Sequence, residues 1–271
     1  MEFKGFGNAT EWEHFEKNNK DFINIQGNLF STMEKILHRN IPGGDKANEI
    51  VFFLGFLCAS EYKEILLLCA NGYGLGAQKL LRSVYEKAGT IDYISTHPEE
   101  AQAFDDYHWV HSNKYLGKLA NPDDPQIKER VELVRENYEK VKDQFKMTDC
   151  KKCKTKRNMI SWNKKSFDML LKDSGTDLEK FYFDAYLEPT MQSHATMPAV
   201  LGRMKVNPTS GKREITDESQ RDIAGQVVRL THAIILLILQ TQNEHFKLGL
   251  EKELDKRAEE FESVWLKGIA T

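Results

Sequence analysis

The chain has 271 residues and a net charge of −3, so it lacks the overall positive charge that marks a general nucleic-acid-binding protein. Its 40% of apolar and 10% of aromatic residues can bury a sizeable core, and its seven prolines, with few β-branched runs, argue against an all-β protein. The N-terminal segment lacks an apolar secretory signal, and the longest apolar run, 233–239, is far shorter than a bilayer span of ~20 residues, so we expect a cytoplasmic protein.

The first third of the chain begins with two predicted helices. Thr10 and Glu13 have the spacing of a capping box, which predicts a helix from Thr10 to about His38. The segment 41–45 contains a proline and two glycines and should end this helix. A second helix is predicted over 46–70, and because apolar residues cover nearly every side of it, we expect it to be central.

A glycine-rich turn then leads into a third helix with two different faces, over 72–94. One face is an apolar stripe at helical spacing. It consists of Ala77, Leu80, Leu81, Val84, Ala88 and Ile91. The opposite face carries Arg82, Glu86, Gly89 and Tyr93. An arginine, a carboxylate, a glycine that permits close approach and a phenol on one face make it the best candidate for a functional surface.

The rest of the chain predicts further helices and no lasting strand pattern. Proline can begin helices at 98 and 125, because its missing N–H is not needed in the first turn, and Pro189 should kink or end a helix over 177–191. The segment 197–216 is rich in Pro, Gly and Ser and is predicted as a loop. Further helices are expected at 166–173, from 217 onwards and at 252–265. We therefore predict a single all-α domain, 1–271, a bundle of roughly eight or nine helices.

Arg82 and Glu86 lie four residues apart and can form an ion pair on their helix. Such a pair on the surface contributes under ~1 kcal/mol to stability, and the spacing alone favours this interpretation. The alternative is that both side chains are buried against other helices. There they would hold an anionic ligand, a catalytic histidine or a neighbouring helix.

Three histidines invite a chemical interpretation. His194 follows an aromatic segment broken by proline and can act as an acid or base near neutral pH, but a core histidine bonded to a backbone carbonyl fits the sequence at least as well. His108 and His111, with Asp105 three residues earlier, have a spacing that can serve a metal. No ligand from a second helix is evident, so we predict neither a metal nor a cofactor.

The four cysteines fall into two pairs. Cys58 and Cys69 lie in the apolar second helix and are expected to be reduced core residues. Cys150 and Cys153 form a C-x-x-C, but the second ligand pair of a structural zinc site is missing. Reduced loop cysteines are the favoured interpretation, and half of a zinc site completed by a partner chain is the alternative.

The loop around this C-x-x-C, at 146–165, is strongly basic and contains interleaved aromatic residues. Basic side chains with aromatic neighbours suit phosphates and stacked bases, and they equally suit a solvated loop. The residues that would contact nucleic acid are Lys151, Lys152, Lys154, Lys156 and Arg157.

Short motifs in the chain resemble an uncharacterised, mainly bacterial family of helical proteins known as a domain of unknown function. That family shows an R-S-x-x-E helix, a later Ser-Trp and a tyrosine-rich helix followed by Ser-His. The matching positions are Arg82, Ser83, Glu86, Ser161, Trp162, Tyr182, Tyr186, Ser193 and His194. The resemblance covers about 49–198 and implies that Arg82, Glu86 and His194 meet in space.

The resemblance also implies a distant likeness to HEPN-like bundles of bacterial conflict and phage-defence systems. HEPN ribonucleases use an arginine and a histidine separated by four to six residues. No arginine here has a histidine at that distance, and Arg229 and His232 are too close. This departure argues against a HEPN-type ribonuclease.

Three hypotheses follow from these patterns. The first is a binding or effector module whose polar centre, with Tyr93, Tyr186, Ser193 and Trp162 as ligand-binding residues, accepts an anionic or nucleotide-like ligand or nucleic acid. The second is a hydrolytic enzyme, for instance a nuclease, with Arg82, Glu86 and His194 as catalytic residues. The third is a non-catalytic scaffold that forms a homo-oligomer. We favour the first, because no complete catalytic set is present in the sequence.

Overall fold

The computed structural model describes residues 7, 9–41, 43–118, 124–125, 127–148, 156–215 and 219–266. Within these ranges the protein is all-α, as predicted, although its eleven α-helices exceed the expected number. The helices are α1 (Ala9–Asn18), α2 (Lys20–Leu37), α3 (Lys46–Ala70), α4 (Gly74–Thr96), α5 (Ala101–Leu116), α6 (Lys128–Val141), α7 (Phe167–Ser174), α8 (Glu188–Ser193), α9 (Met197–Leu201), α10 (Arg221–Phe246) and α11 (Glu251–Trp265).

The core forms around α4, which packs against both α3 and α10. Thirteen of the 23 residues of α4 are buried, so this helix, rather than α3, is the central one. The prediction for α3 was wrong in this respect, because Phe53, Phe56, Leu57 and Leu67 leave one side of α3 exposed.

The bounds of α3 are as predicted, since the Asp45 side chain caps its first turn by accepting from the Ala47 and Asn48 amides.

The first predicted helix is two helices that meet at Asn19. The Asn19 backbone and side-chain nitrogens both donate to the Phe15 carbonyl, and asparagine favours such local bonds over a continuous helix. The helix α1 also begins at Ala9, one residue before the predicted cap at Thr10. Glu11 in its first turn is buried and accepts two hydrogen bonds from Arg221 at the start of α10.

Short strands occupy two segments that were predicted as loops. β1 (Lys146–Thr148) pairs with β2 (Lys156–Asn158), and β3 (Met204–Val206) pairs with β4 (Arg213–Ile215), each in an antiparallel hairpin. The helix α9 also lies inside the predicted 197–216 loop. Strands of three residues are too short to produce a detectable alternation of apolar and polar residues.

The segment before α8 is distorted as its proline predicts. A 3-10 turn (Asp177–Phe181) is followed by a π-helical turn (Phe183–Leu187), and Pro189 then stands in the first turn of α8. Proline cannot donate the backbone hydrogen bond of a regular helix, and it clashes with the preceding turn. A second 3-10 turn, Pro98–Glu100, precedes α5.

Among the described helices, α10 is long and apolar enough to cross a membrane by length and composition. Half of the qualifying stretch is buried inside the bundle. The core helix of a soluble protein meets the same criterion, so this is weak evidence for a membrane span. Cys58 and Cys69 are buried and free, as predicted.

Gly74, at the start of α4, lies close to the backbone at the start of α10. A Cβ at Gly74 would lie 2.6 Å from the Gln220 carbonyl oxygen and 2.7 Å from the Ala224 nitrogen, and backbone atoms cannot rotate away. We expect Gly74→Ala to lower the free energy of unfolding by about 1–3 kcal/mol. Gly225→Ala is the matched control, because nothing lies within 4 Å of a Cβ there, and alanine should stabilise α10 by up to about 1 kcal/mol. Urea unfolding of both variants tests this, and equal stability would contradict the close contact.

His232 is a neutral histidine in the core. It is 1% exposed, the Trp265 indole donates to its Nδ1 at 3.2 Å, and burial lowers the pKa of His232 to about 4. The unfolded chain, with an ordinary histidine pKa of ~6.5, therefore binds more protons between pH ~4 and ~6.5. Stability from this group is complete above ~6.5 and is lost as the pH falls towards 4.

We expect His232→Gln to flatten this pH dependence, which amounts to at most about 3 kcal/mol, because glutamine keeps an acceptor for Trp265 but does not titrate. Urea unfolding at pH 7 and pH 4.5 measures the effect. A wild-type slope in the His232 variant would show that other groups cause the pH dependence.

Candidate functional site

Arg82 lies on the side of α4 that is not covered by α3 or α10, and it is partly buried. Its Nη2 donates to Glu86 Oε1 at 3.1 Å, and the two side chains are 23% and 43% exposed. The guanidinium lies over the Tyr186 ring, 5.2 Å from its centroid, which is within cation–π range. The Arg82–Glu86 ion pair is therefore partly exposed. It contributes less than about 1 kcal/mol to stability.

A cleft of about 730 Å³ opens beside this pair. We call it the Arg82 cleft. It lies between α4, the segment 157–166, α7 and the π-helical turn. The residues that define it are Arg82, Glu86, Arg157, Trp162, Asn163 and Tyr186.

Two enclosed donors border the Arg82 cleft without an acceptor. Arg82 Nε and Asn163 Nδ2 are both buried, and neither has a hydrogen-bond partner among the described residues. The Arg82 Nη1 likewise makes no hydrogen bond within the described part of the chain. Leaving a buried donor unpaired costs about 1–3 kcal/mol, so the site favours a ligand or solvent rich in acceptors.

Aromatic rings form the walls of the cleft. Trp162 is 9% exposed and packs edge-on against Phe104. On the other wall, Tyr186 stacks on Tyr182 with centroids 5.2 Å apart and contacts Phe167 at 5.0 Å. The walls are therefore built from large, rigid side chains that offer planar surfaces.

The charge of the cleft is opposite in sign to that of the whole protein. Arg82, Arg157, Lys164 and Lys165 line it, against the single carboxylate of Glu86. The complete chain, by contrast, has a net charge of −3. The cleft is therefore a local positive field that attracts anions.

Lys165 fixes the rim of the cleft to α4 through a chain of polar contacts. Its Nζ pairs with Asp173 at 2.5 Å and donates to the Tyr93 hydroxyl at 2.8 Å, and that hydroxyl donates to Glu100 at 2.8 Å. The Asp173 carboxylate raises the pKa of Lys165, while burial raises the pKa of Tyr93. Lys165 is thus occupied in the structure and is less available to an anion than its charge alone would indicate.

Several predicted site residues come together in the Arg82 cleft. Arg82, Glu86, Ser161, Trp162 and Tyr186, all from the family motifs, line it. These residues are separated along the chain by more than 100 positions. The fold therefore brings α4, the Ser-Trp segment and the tyrosine-rich segment together at one cleft.

His194 and Ser193 are placed elsewhere, and the expectation that His194 meets Arg82 and Glu86 is not met. The helix α8 ends at Ser193, whose hydroxyl donates back to the Pro189 carbonyl at 2.7 Å. His194 then adopts an extended backbone that leads away towards α9. Its side chain is exposed and does not line the cleft.

The other predicted positions divide into three groups. Tyr93 is fully buried behind Trp162 and supports the wall instead of lining it. Arg157 lies in β2 and lines the cleft. For Lys156 only the backbone, in β2, is described, and the following lie outside the described residues: Lys151, Lys152, Lys154, Cys150 and Cys153.

Sequence reasoning missed Asn163 and Asp92. Asp92 is 3% exposed, accepts from the Thr176 and Thr241 hydroxyls, and burial raises its pKa. It lies four residues after Ala88, and this position on the apolar stripe could have indicated its burial. Nothing in the sequence marks Asn163, whose enclosure depends on the tertiary fold.

The described residues contain no group of three His, Cys, Asp or Glu side chains that could hold a metal ion. His111, which had a metal-like spacing with His108, packs against Tyr107 at a centroid distance of 4.7 Å. Burial lowers the pKa of His111. His111 is nevertheless exposed, so these contacts fit a histidine on a partly exposed helix face.

The model of a family described as "Family of unknown function (DUF5677)" matches residues 49–212, more than half of the chain. The chain belongs to DUF5677. No curated protein and no solved structure matches it. The DUF5677 region contains every residue that defines the Arg82 cleft, so the cleft lies wholly within the family's domain.

The hydrogen bonds that join Lys165, Tyr93 and Glu100 are expected to hold the rim of the cleft in place. Tyr93→Phe removes the hydroxyl that joins Lys165 to Glu100, so we expect a loss of about 1 kcal/mol in the free energy of unfolding and faster amide hydrogen exchange over 161–166. Tyr115→Phe, on an exposed ring, is the control and should change neither. If amide hydrogen exchange over 161–166 is unchanged in Tyr93→Phe, the ion pair between Lys165 and Asp173 is sufficient to hold the rim.

Proposed function

We propose that this DUF5677 protein is a binding module whose Arg82 cleft accepts an anionic ligand with a planar ring, of the nucleotide class. The observation that carries the proposal is the state of Arg82: it is partly buried, its Nη1 lacks a protein partner within the described chain, and both its own enclosed Nε and the nearby Asn163 Nδ2 lack acceptors. A phosphate or carboxylate would supply those acceptors.

The basic side chains suit the anionic part of such a ligand. A guanidinium presents its N–H groups in a fixed fork that matches the oxygens of phosphate or carboxylate. Arg82 is held in place by Glu86 and by the Tyr186 ring, so little side-chain freedom is lost on binding. Arg157 and Lys164 line the same cleft and would add attraction that weakens with salt.

The aromatic walls suit the planar part. A base stacked on an aromatic side chain gains about 1–3 kcal/mol, and Trp162 and Tyr186 are the rings that reach the cleft. Glu86 is 43% exposed, and its carboxylate can accept from an amino or hydroxyl group of the ligand. A ligand that has a phosphate, a planar ring and an amino or hydroxyl group would use all three features of the cleft, and a nucleotide has all three groups.

The proposal extends to nucleic acid through the basic 146–165 segment, because Arg157 links the cleft to the lysines that precede it in sequence. The expected setting is the cytoplasm of a bacterial cell, for instance in phage defence. We do not extend the proposal to hydrolysis, since His194, the acid or base that this alternative requires, lies outside the cleft.

Binding of a fluorescent nucleoside diphosphate, mant-ADP, followed by anisotropy, tests the proposal. We expect saturable binding that inorganic phosphate at high concentration displaces, and Arg82→Gln should weaken it at least about tenfold, equivalent to ~1.4 kcal/mol. Arg213→Gln, an exposed arginine outside the cleft, is the matched control and should bind normally.

A labelled single-stranded RNA oligonucleotide distinguishes the nucleic-acid extension. Tighter binding of RNA than of mant-ADP, lost in Arg157→Gln, would support it. If neither probe binds, or if Arg82→Gln and Arg213→Gln bind equally well, the Arg82 cleft is not the binding site.

A further inference from the structure

A second, smaller cavity lies between α4, α10 and the π-helical turn that leads into α8. Its volume is about 120 Å³, and it shares no lining residue with the Arg82 cleft. Polar side chains from all three elements line it. They are Gln78, Asp184, Glu188, Gln226 and Arg229. We call it the Gln78 cavity.

The sequence brings these groups together through helical spacing and packing. Gln226 and Arg229 lie three residues apart on α10, so they project from the same side of that helix. Asp184 lies in the π-helical turn and Glu188 begins α8, four residues later. Gln78 lies in the first half of α4, which packs against both of these elements. Three separate parts of the chain therefore contribute to one cavity.

The cavity has a buried floor and an open side. Gln78 is 5% exposed, and the apolar residues beside it, Leu81 and Val227, are also buried. Asp184 and Gln226, by contrast, are exposed to solvent. A small molecule can therefore enter past the exposed side chains and become enclosed against the floor.

The polar side chains of the Gln78 cavity are unpaired. The Gln78 Oε1 atom is enclosed and has no hydrogen-bond donor among the residues that the structure describes. Arg229 is half-buried and lines the same cavity as the carboxylates of Asp184 and Glu188, yet it forms no ion pair with either. A buried amide oxygen without a donor is unfavourable, so a ligand that supplies donors to it would be stabilised.

The charges around the cavity determine which ligand would use all of these groups. Two carboxylates and the amide oxygen of Gln78 accept hydrogen bonds, which suits an ammonium group. The Arg229 guanidinium donates hydrogen bonds, which suits a carboxylate. A bare metal cation would be repelled by the guanidinium, and an inorganic anion would be repelled by the carboxylates. A molecule that has both an ammonium and a carboxylate group meets neither repulsion.

The volume restricts this molecule to a small one. A cavity of about 150 Å³ accommodates benzene, so 120 Å³ suffices for glycine or alanine but not for an amino acid with a large side chain. Leu81, Val227 and Leu230 also line the cavity and can contact a methyl group.

We infer that the Gln78 cavity binds a small free α-amino acid, glycine or alanine, as its zwitterion. The ammonium group lies towards Asp184, Glu188 and Gln78. The carboxylate pairs with Arg229. This binding site is separate from the Arg82 cleft and does not depend on what that cleft accepts.

Equilibrium dialysis of the full chain against radiolabelled glycine and L-alanine tests the inference. We expect saturable binding of one equivalent per chain. Two analogues of L-alanine should compete at least tenfold more weakly than L-alanine itself. L-Alaninamide lacks the carboxylate that Arg229 would bind, and propionate lacks the ammonium group that the acceptors would bind.

Charge-removing variants locate the site. Arg229→Gln and the double variant Asp184→Asn/Glu188→Gln should each weaken L-alanine binding at least tenfold. In Arg229→Gln, L-alaninamide should compete about as well as L-alanine, because the carboxylate is no longer recognised; a general loss of structure would not produce this change in preference. Arg213→Gln, at an exposed arginine outside the cavity, is the matched control and should bind normally. Far-ultraviolet circular dichroism of every variant verifies folding.

The absence of saturable binding for both amino acids overturns the inference and means that the cavity holds solvent only. Equal competition by L-alanine and its two analogues in the wild-type protein overturns it as well. So does binding in Arg229→Gln that equals binding in Arg213→Gln, because the carboxylate then lies elsewhere.

Discussion

The structure depends on the burial of α4 between α3 and α10. A helix covered on two sides must offer small or apolar residues to both neighbours, and Gly74 lets the α10 backbone approach closer than any side chain permits. Gly89 plays the same part towards α7, where a Cβ would lie 2.7 Å from Leu171. Because α4 is fixed in this way, Arg82 and Glu86 occupy a defined position at the edge of the core.

The cleft is organised around that fixed edge. One wall consists of tyrosines from the irregular helix before α8, and the other is the 157–166 segment, which closes on α4 through Lys165 and the buried Tyr93. The Asp173 carboxylate compensates the charge of Lys165, whereas Arg82 retains an open nitrogen. The same segment therefore contains Lys165, which holds the structure together, and the unpaired amide nitrogen of Asn163, which can meet a ligand.

The sequence predicted the regular parts of the molecule well and the irregular parts poorly. The bounds of α3 were correct because Asp45 caps a long apolar helix whose end is marked by glycine. The hairpins were missed because three-residue strands leave no periodic signal, and α1 and α2 were merged because Asn19 breaks the helix only through its own side chain.

For the site, helical spacing identified Arg82 and Glu86, but spacing alone could not show that Trp162 and Tyr186 lie beside them. The family resemblance linked these distant parts of the chain, but the meeting that it implied was with His194. His194 lies outside the cleft, because α8 ends at Ser193 and His194 continues the chain in an extended conformation. Asn163 could not be found at all, because an unpaired amide is a property of the folded neighbourhood.

The π-helical turn at Phe183–Leu187 carries both inward-facing and exposed side chains. Tyr186 lies beneath the Arg82 guanidinium, whereas Phe183 and Leu187 are exposed to solvent. A π turn holds one residue more than the α-helical path it replaces. Excising a single residue there would rewind the segment and swing all later side chains by about a quarter of a revolution. That deletion would reorient the outer apolar side chains and the inner aromatic wall together, so the π turn couples the two surfaces.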